Sequence, residues 1–179
     1  MFELKISCLR KAIQLSQEWA THTVSLVNPE IIKHPITLPT ARKGALLQRY
    51  YFHDITKNDF LLFLKHPKLA EPKQIKDILE FTTSLQSTDK LLIHCHSGIS
   101  RSTAVACGIL CQHGLLPCKA IQHVLSIRPQ ANPNPHVLKI FDKILGFKGE
   151  LVATAIKEVD KFQDEKTILS VLKDLFLFR

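Results

Sequence analysis

A cysteine and an arginine in the middle of the chain have the spacing of a phosphate-binding loop. Cys95 and Arg101 are separated by five residues, and a hydroxyl residue, Ser102, follows the arginine. A loop of this length can wrap around one phosphate group with its backbone N–H groups pointing inward. A helix beginning behind the loop would add free N–H groups and a positive dipole end. Because this field favours the thiolate of Cys95, the spacing predicts a phosphate monoester site with a cysteine nucleophile.

The residues inside this loop are expected to bind the phosphate group mainly through their backbone. Gly98 permits a close backbone approach, and the Arg101 guanidinium can hold two oxygens at once. None of the variable positions is a lysine, which favours a singly phosphorylated substrate. Neither a metal nor a cofactor is required. We therefore predict that phosphate, sulfate or vanadate binds to residues His96, Ser97, Gly98, Ile99, Ser100 and Arg101.

The reaction also needs a carboxylic acid at the mouth of the site, because the leaving alkoxide or phenolate must receive a proton. Asp54 follows the strand predicted over Leu46–Phe52 and should reach the same edge of the sheet as Cys95. Asp59, five residues further on, is the alternative acid. After the first step, the same carboxylate can accept a proton from the attacking water.

Alternating strand and helix patterns predict how these residues are positioned. They indicate one α/β domain with a mainly parallel central sheet of about four to five strands and helices on both faces. Ligands on such sheets lie beyond the strand C-termini, where Cys95 falls. Strands are predicted over Leu4–Cys8, His22–Val27, Leu46–Phe52 and Leu91–His94, and helices over Leu9–Trp19, Pro72–Leu85, Ser100–His113, Pro117–Ile127 and Pro135–Leu145.

The segment from His94 to Ser102 resembles the signature loop of the cysteine-based protein tyrosine phosphatases. Its second half, Gly98–Ser102, is closest to the dual-specificity branch. The flanking segments Phe52–Ile55 and Arg128–Asn134 are similar to those of bacterial predicted tyrosine phosphatases. The resemblance covers about residues 1–150 and implies a phosphatase-like fold and a protein-tyrosine or dual-specificity phosphatase activity. A shallow pocket is expected, because no Tyr-containing segment before residue 50 resembles the one that deepens a phosphotyrosine pocket.

The resemblance also implies a catalytic role for Ser102 and supporting roles for His94 and Asn134. Ser102 would stabilise the thiolate as it departs in the second step, although its hydroxyl could equally cap the helix start. His94 should lie on the opposite side of its strand from Cys95, and the resemblance gives it a part in ordering the loop. Asn134 would brace the loops of the active site, the alternative being a simple Asx turn.

Composition restricts the other function classes. The chain has 179 residues, 45% of them hydrophobic, with a net charge of +8 and five cysteines. A basic surface suits anionic substrates, but the charges are scattered without a Lys/Arg block, so a nucleic-acid partner is not expected. Neither a signal peptide nor a transmembrane segment is predicted. The odd number of cysteines favours reduced thiols and a cytoplasmic location.

The C-terminal residues 151–179 lie beyond the resemblance and are predicted to form a helical extension of the catalytic domain, residues 1–150. Apolar residues recur at helical spacing from Ile168 to Phe178, too many for a freely solvated helix. We expect this helix to pack on its own domain. A homodimer formed through the helix is the second alternative, and binding to a membrane surface is a third.

Three other functions stay open from the sequence. A phosphatase of phosphoinositides or other small phosphate esters could use the same loop, although such loops often carry lysines. A non-catalytic phosphate-binding module would not need the nucleophile, the arginine, the hydroxyl and the acid together. A rhodanese-like sulfur transferase also uses a cysteine loop, but it would need neither Asp54 nor the Arg101–Ser102 pair.

Overall fold

A four-stranded parallel sheet forms the centre of the molecule, which confirms the predicted α/β class. The computed structural model describes residues 1–33, 37–55 and 67–177. In this part of the chain the strand order is β1-β4-β2-β3, and all three neighbouring pairs are parallel. Parallel strands bring their C-terminal ends to one edge, so the ends of β4 and β3 meet where the site was predicted. The strands are β1 (Glu3–Cys8), β2 (His22–Val27), β3 (Leu46–Tyr51) and β4 (Lys90–Cys95).

Helices cover both faces of the sheet because successive side chains of β4 point to opposite sides. Leu92 packs with Ala12 of α1 on one face. Leu91 and Ile93 belong to the larger core on the other face, beneath α3 and the helices around it. The helices are α1 (Leu9–Glu18), α2 (Pro72–Thr82), α3 (Arg101–Gln112), α4 (Pro117–Ile127), α5 (Pro135–Leu145) and α6 (Glu150–Leu177).

Helix α3 is buried along most of its length, as expected for the helix behind the phosphate-binding loop. A Cβ at Gly108 would collide with the ring of Phe141, so this glycine allows α3 and α5 to approach closely. Cys107 and Cys111 are buried in this core. Burial raises the pKa of both thiols, that of Cys111 to about 12. These two cysteines are therefore packing residues.

Some elements end at other residues than the sequence patterns predict. Strand β4 includes Cys95, because this residue still pairs with Cys8 of β1. Helix α2 stops at Thr82, three residues before the predicted end. The hydroxyls of Thr82 and Thr83 donate to the carbonyls of Ile78 and Leu79, and such local bonds compete with the helical ladder. A short 3-10 turn over Pro29–Lys33, which the patterns did not predict, follows β2.

Helix α6 begins at Glu150 and packs on α4 and α5. The buried carboxylate of Asp142 accepts hydrogen bonds from the backbone N–H groups of Gly149 and Leu151, which caps the helix. Leu151 and Ala155 are buried in the main core. The first part of the predicted extension is thus continuous with the domain, whereas the side chains from residue 167 onward lie outside the described residues. Among the described helices, none is both long and apolar enough to cross a membrane.

Candidate active site

The loop after β4 is held close against the end of β1. Register pairing places Cys95 beside Cys8, and the chain then turns sharply at Gly98, whose φ is +73°. A Cβ at Gly98 would lie 2.6 Å from the backbone carbon and oxygen of Ser7. Only glycine fits both this left-handed conformation and this approach. The position of Gly98 in the sequence was therefore a reliable indication of loop geometry.

The backbone carbonyls of the loop are bound from outside. Arg128 donates from Nε to the carbonyl of Gly98 and from Nη2 to that of Ser97, both at 2.9 Å. Backbone N–H groups take the remaining carbonyls: Leu9 donates to His96, Asn132 to Ile99 and Asn134 to Ser100. Within the described part of the chain, the N–H groups of Ser97, Ile99 and Ser100 contact no protein acceptor. A ring with its carbonyls outward and N–H groups unpaired is suited to an oxyanion.

The Cys95 thiol lies at the bottom of this ring. The side chain is buried, and its Sγ accepts a hydrogen bond from the Gly98 N–H at 3.2 Å. The Ser102 hydroxyl lies 3.2 Å from the same sulfur. Hydrogen bonds to sulfur and the N-terminus of α3 both stabilise negative charge there. Cys95 and Ser102 thus have the contacts that a thiolate nucleophile and its stabilising hydroxyl require.

Arg101, the first residue of α3, is buried with 2% of its surface exposed. Its Nη1 donates to the carbonyl of Phe52 at 2.6 Å. Its Nε is the one buried side-chain nitrogen or oxygen of the described residues without a hydrogen-bond partner, although Asp54 Oδ2 lies 3.9 Å away. Burial lowers the pKa of Arg101, while Cys95 and Asp54 act in the opposite direction. A guanidinium held at one end with a donor left unpaired can bind an anion.

Asp54 lies beside this loop, as predicted, and its carboxylate is held by two side chains. Oδ1 accepts from the Ser100 hydroxyl at 2.6 Å and from the Asn134 amide at 2.9 Å. About a third of the side chain remains exposed (30%), so the carboxyl is accessible from solvent. The alternative acid, Asp59, lies outside the described residues.

The Asn134 amide makes two kinds of contact at once. Its Oδ1 accepts from the backbone N–H groups of His136 and Val137, which caps α5. Its Nδ2 donates to Asp54 and, at 3.4 Å, to the carbonyl of Ile55. The two alternatives raised by the sequence, a local cap and a contact between loops, are therefore both present.

His94 is fully buried on the strand that carries Cys95. Its Nε2 lies 2.8 Å from the Ser25 hydroxyl, which also accepts from Arg49 Nε. Burial lowers the pKa of His94 from 6.5 to about 4, with smaller contributions from Arg49 and Arg101 in the same direction. His94 is therefore neutral near pH 7 and serves as a packed hydrogen-bonding group under the loop.

Sequence reasoning missed several residues that shape the site. Arg128 was noted only as part of a resemblance, and its bonds to the loop carbonyls depend on the path of the chain between α4 and α5. Ser25, His53 and the carbonyl of Phe52 also contact site residues or their neighbours. A buried serine within a strand is a weak signal in a sequence, and a backbone carbonyl gives none.

A mostly apolar cleft of about 200 Å³ opens beside Arg101. Leu26 and Val27 at the end of β2 form one wall, and Glu30 belongs to the turn that follows. An apolar cleft next to a phosphate site can take the carbon skeleton of a substrate. The complete lining consists of Leu9, Leu26, Val27, Asn28, Glu30, Ile31, His96 and Arg101.

Metal ligands were not predicted for this site. Across residues 1–33, 37–55 and 67–177, no cluster of three or more His, Cys, Asp or Glu side chains could hold a metal ion. The groups gathered at the loop are a thiol, a guanidinium, a hydroxyl and a carboxyl. These groups can supply a nucleophile, charge stabilisation and a proton donor.

Comparison with known proteins supports the fold. No protein-family model matches the chain, and no curated protein sequence is similar to it. Solved structures do match. Human DUSP28 is 25% identical with a TM-score of 0.57, covering 78% of this chain and 86% of that one. A mouse putative dual specificity phosphatase, complexed with zinc tungstate, is also 25% identical, with a TM-score of 0.53 and coverages of 82% and 84%.

A third match is the human tyrosine phosphatase-like serine/threonine/tyrosine-interacting protein. It is 20% identical with a TM-score of 0.60 and covers 81% of this chain and 92% of the other. At this identity the match concerns the fold alone. The resemblance to bacterial phosphatases remains a prediction. The chain therefore has the α/β fold of the dual-specificity phosphatases.

Proposed function

We propose that the protein is a cysteine-dependent phosphatase of phosphoproteins that acts through a cysteinyl-phosphate intermediate. The observation that carries this proposal is the convergence at one loop of the Cys95 sulfur, the unpaired donor of Arg101 and the Asp54 carboxyl. A non-catalytic phosphate-binding module would need the arginine and the loop N–H groups but not the thiol and the carboxyl beside them.

The chemistry follows from these positions in two steps. The Cys95 thiolate attacks phosphorus, the bond between phosphorus and the leaving oxygen breaks, and Asp54 gives that oxygen its proton. A water molecule then attacks the cysteinyl-phosphate, Asp54 accepts its proton, and the thiolate leaves beside the Ser102 hydroxyl. The loop N–H groups and Arg101 stabilise the charge on the equatorial oxygens in both steps.

The surroundings of the loop favour a phosphoprotein over a phosphoinositide. The cleft beside Arg101 is walled by Leu26 and Val27, which suits an aromatic or aliphatic side chain better than a polyol. The loop carries no lysine to hold additional phosphates. The cysteines are free thiols, and Cys95 must remain reduced to react, so we place the protein in the cytoplasm.

The test is hydrolysis of p-nitrophenyl phosphate by the wild type and by Cys95→Ser in the presence of a chelator. We expect turnover by the wild type, competitive inhibition by vanadate and no turnover by Cys95→Ser. Cys118→Ser, which changes a partly exposed cysteine on α4, is the matched control and should retain activity. Equal activity of the Cys95→Ser protein would refute the proposal.

The substrate class needs a second measurement. A phosphotyrosine peptide, a phosphoserine peptide and a phosphoinositide in mixed micelles should be compared by kcat/KM. We expect the peptides to be preferred, with phosphotyrosine first because its ring fits the apolar cleft. A higher kcat/KM for the phosphoinositide would be consistent with the proposed reaction but would show that the substrate class is wrong.

A further inference from the structure

His53 holds the chain directly beside Asp54. The residue is 5% exposed, and its backbone N–H donates to the carbonyl of Lys68 at 2.8 Å. The backbone N–H of Lys68 donates in return to His53 Nδ1, also at 2.8 Å. The imidazole and the backbone of one residue thus pair with the same residue of a distant segment.

These contacts determine which ring nitrogen carries the proton. Because the Lys68 N–H needs an acceptor, His53 Nδ1 must be unprotonated, and the proton of the neutral ring lies on Nε2. His53 Nε2 then donates to Glu30 Oε1 at 2.7 Å. A carboxylate that accepts from one ring nitrogen fixes both the tautomer and the orientation of the imidazole. Glu30, in the turn after β2, therefore orients His53.

The position of His53 links this arrangement to the reacting groups. The carbonyl of the preceding residue, Phe52, accepts from Arg101, and the following residue is Asp54. Ser100 and Asn134 hold a carboxylate oxygen of Asp54, and Asn134 also reaches the carbonyl of the following residue, Ile55, at 3.4 Å. The backbone on the N-terminal side of Asp54 is held by the contacts of His53.

From this geometry we propose that Glu30 and His53 are positioning residues for proton transfer by Asp54, an inference that rests on the proposed phosphatase function. Glu30 fixes the His53 ring, the ring pairs with Lys68, and the paired backbone sets where the Asp54 carboxyl meets the leaving oxygen. An error of about 1 Å in such a position can lower a rate by roughly 100-fold. Neither residue needs to touch the substrate for this effect.

The experiment compares two substrates that differ in their need for a proton. Phenyl phosphate has a basic leaving group that must be protonated, whereas the phenolate of p-nitrophenyl phosphate can leave without a proton. Because both substrates form the same cysteinyl-phosphate, kcat/KM, which reports the first step, is compared. We expect Glu30→Ala to lower kcat/KM on phenyl phosphate by about 10- to 100-fold and to affect p-nitrophenyl phosphate far less. Glu30→Gln keeps an oxygen acceptor for His53 Nε2 and should restore most of kcat/KM on phenyl phosphate.

Two further variants separate positioning from folding. His53→Asn retains an oxygen in place of Nδ1 to pair with Lys68 but cannot reach Glu30, so it should reproduce the Glu30→Ala pattern. Glu80→Ala, an exposed glutamate on α2, is the matched control for loss of one surface carboxylate. Thermal unfolding midpoints of all variants should be recorded beside the kinetics.

The decisive measurement is made in an Asp54→Asn background. If Glu30 acts through Asp54, adding Glu30→Ala to Asp54→Asn should lower kcat/KM on phenyl phosphate no further. A full further loss in the double variant, or equal losses on both substrates in the single variant, would overturn the positioning role while leaving the phosphatase intact. Full activity of Cys95→Ser would instead refute the proposed function itself.

Discussion

The proposed phosphate-binding loop and the segment with the proposed acid meet at one site but are built in different ways. The loop consists of consecutive residues from Cys95 to Arg101, and its shape is fixed by backbone contacts and by Gly98. The proposed acid, Asp54, is held by side chains from distant parts of the chain, Ser100 and Asn134. A loop of the first kind is visible as a motif in the sequence, whereas an arrangement of the second kind exists only in the fold.

The two regions also differ in how far their side chains are buried. Arg101 and Cys95 are almost completely buried, while Asp54 keeps about a third of its surface (30%) in solvent. Charge interactions are stronger where water is excluded. We therefore expect changes in the loop to cost more activity than changes in the acid segment, and the following experiments test this order.

Replacing Arg101 by lysine should have the largest effect. Lysine keeps the positive charge but cannot donate to Phe52 and to two phosphate oxygens in one plane. We expect kcat/KM on p-nitrophenyl phosphate to fall by about 10³- to 10⁵-fold. Arg10→Lys, at an exposed position of α1, is the control and should be nearly neutral. A loss below about tenfold would show that charge alone is sufficient here.

Asp54→Asn should have the next largest effect and should depend on the substrate. We expect kcat/KM on phenyl phosphate, which reports the first step, to fall by about 10²- to 10⁴-fold, with a much smaller loss on p-nitrophenyl phosphate. Asp59→Asn, tested in parallel, should leave this ratio unchanged. If Asp59→Asn shows the leaving-group dependence and Asp54→Asn does not, the acid has been assigned to the wrong residue.

Gly98→Ala tests the close packing of the loop through stability. The new Cβ would meet the Ser7 backbone and would stand in a left-handed conformation, so we expect a loss of about 3 kcal/mol in the free energy of unfolding. Gly44→Ala has a similar φ, +82°, but nothing within 4 Å, so it isolates the conformational effect. Denaturant titrations should show a larger loss in the free energy of unfolding for Gly98→Ala than for Gly44→Ala. Equal losses in the two variants would mean that the close contact with the Ser7 backbone does not affect stability.

His94 should give an effect that appears only on acidification. Its pKa is 6.5 in the unfolded chain and about 4 in the folded protein, so between these values only the unfolded state binds the proton. The free energy of unfolding therefore keeps its full value above pH 6.5 and decreases by up to about 3 kcal/mol as the pH falls toward 4. His94→Asn removes this titration and should lose less stability over the same range than the wild type. His123→Asn, on α4, is the control and should retain the full acid dependence.

The sequence predicted features that depend on neighbouring residues better than features that depend on contacts between distant residues. Helices α4 and α5 have the predicted bounds, because Pro117 and Pro135 mark their starts and Gly146 ends the second. The strand, loop and helix around Cys95 were predicted from a contiguous pattern of apolar residues, glycine and arginine. Local signals of this kind depend on neighbouring residues only.

The remaining features depend on contacts between distant residues. Arg128 reaches the loop carbonyls across about thirty residues of sequence, and Glu30 meets His53 across more than twenty. Helix α6 begins at Glu150 because Asp142 caps it from the preceding helix. A single sequence contains no periodicity or motif for such pairs, so they could not be predicted from it.

The external binding of the loop carbonyls has a thermodynamic consequence. Arg128 and three backbone N–H groups hold the loop in shape, so an incoming anion has little conformational entropy to remove. This low entropic cost of binding applies to free inorganic phosphate as well as to the phosphate group of a substrate. Such a site should release its product slowly, and the reaction should slow as phosphate accumulates. Loosening the loop through Arg128→Lys should weaken phosphate inhibition together with substrate binding.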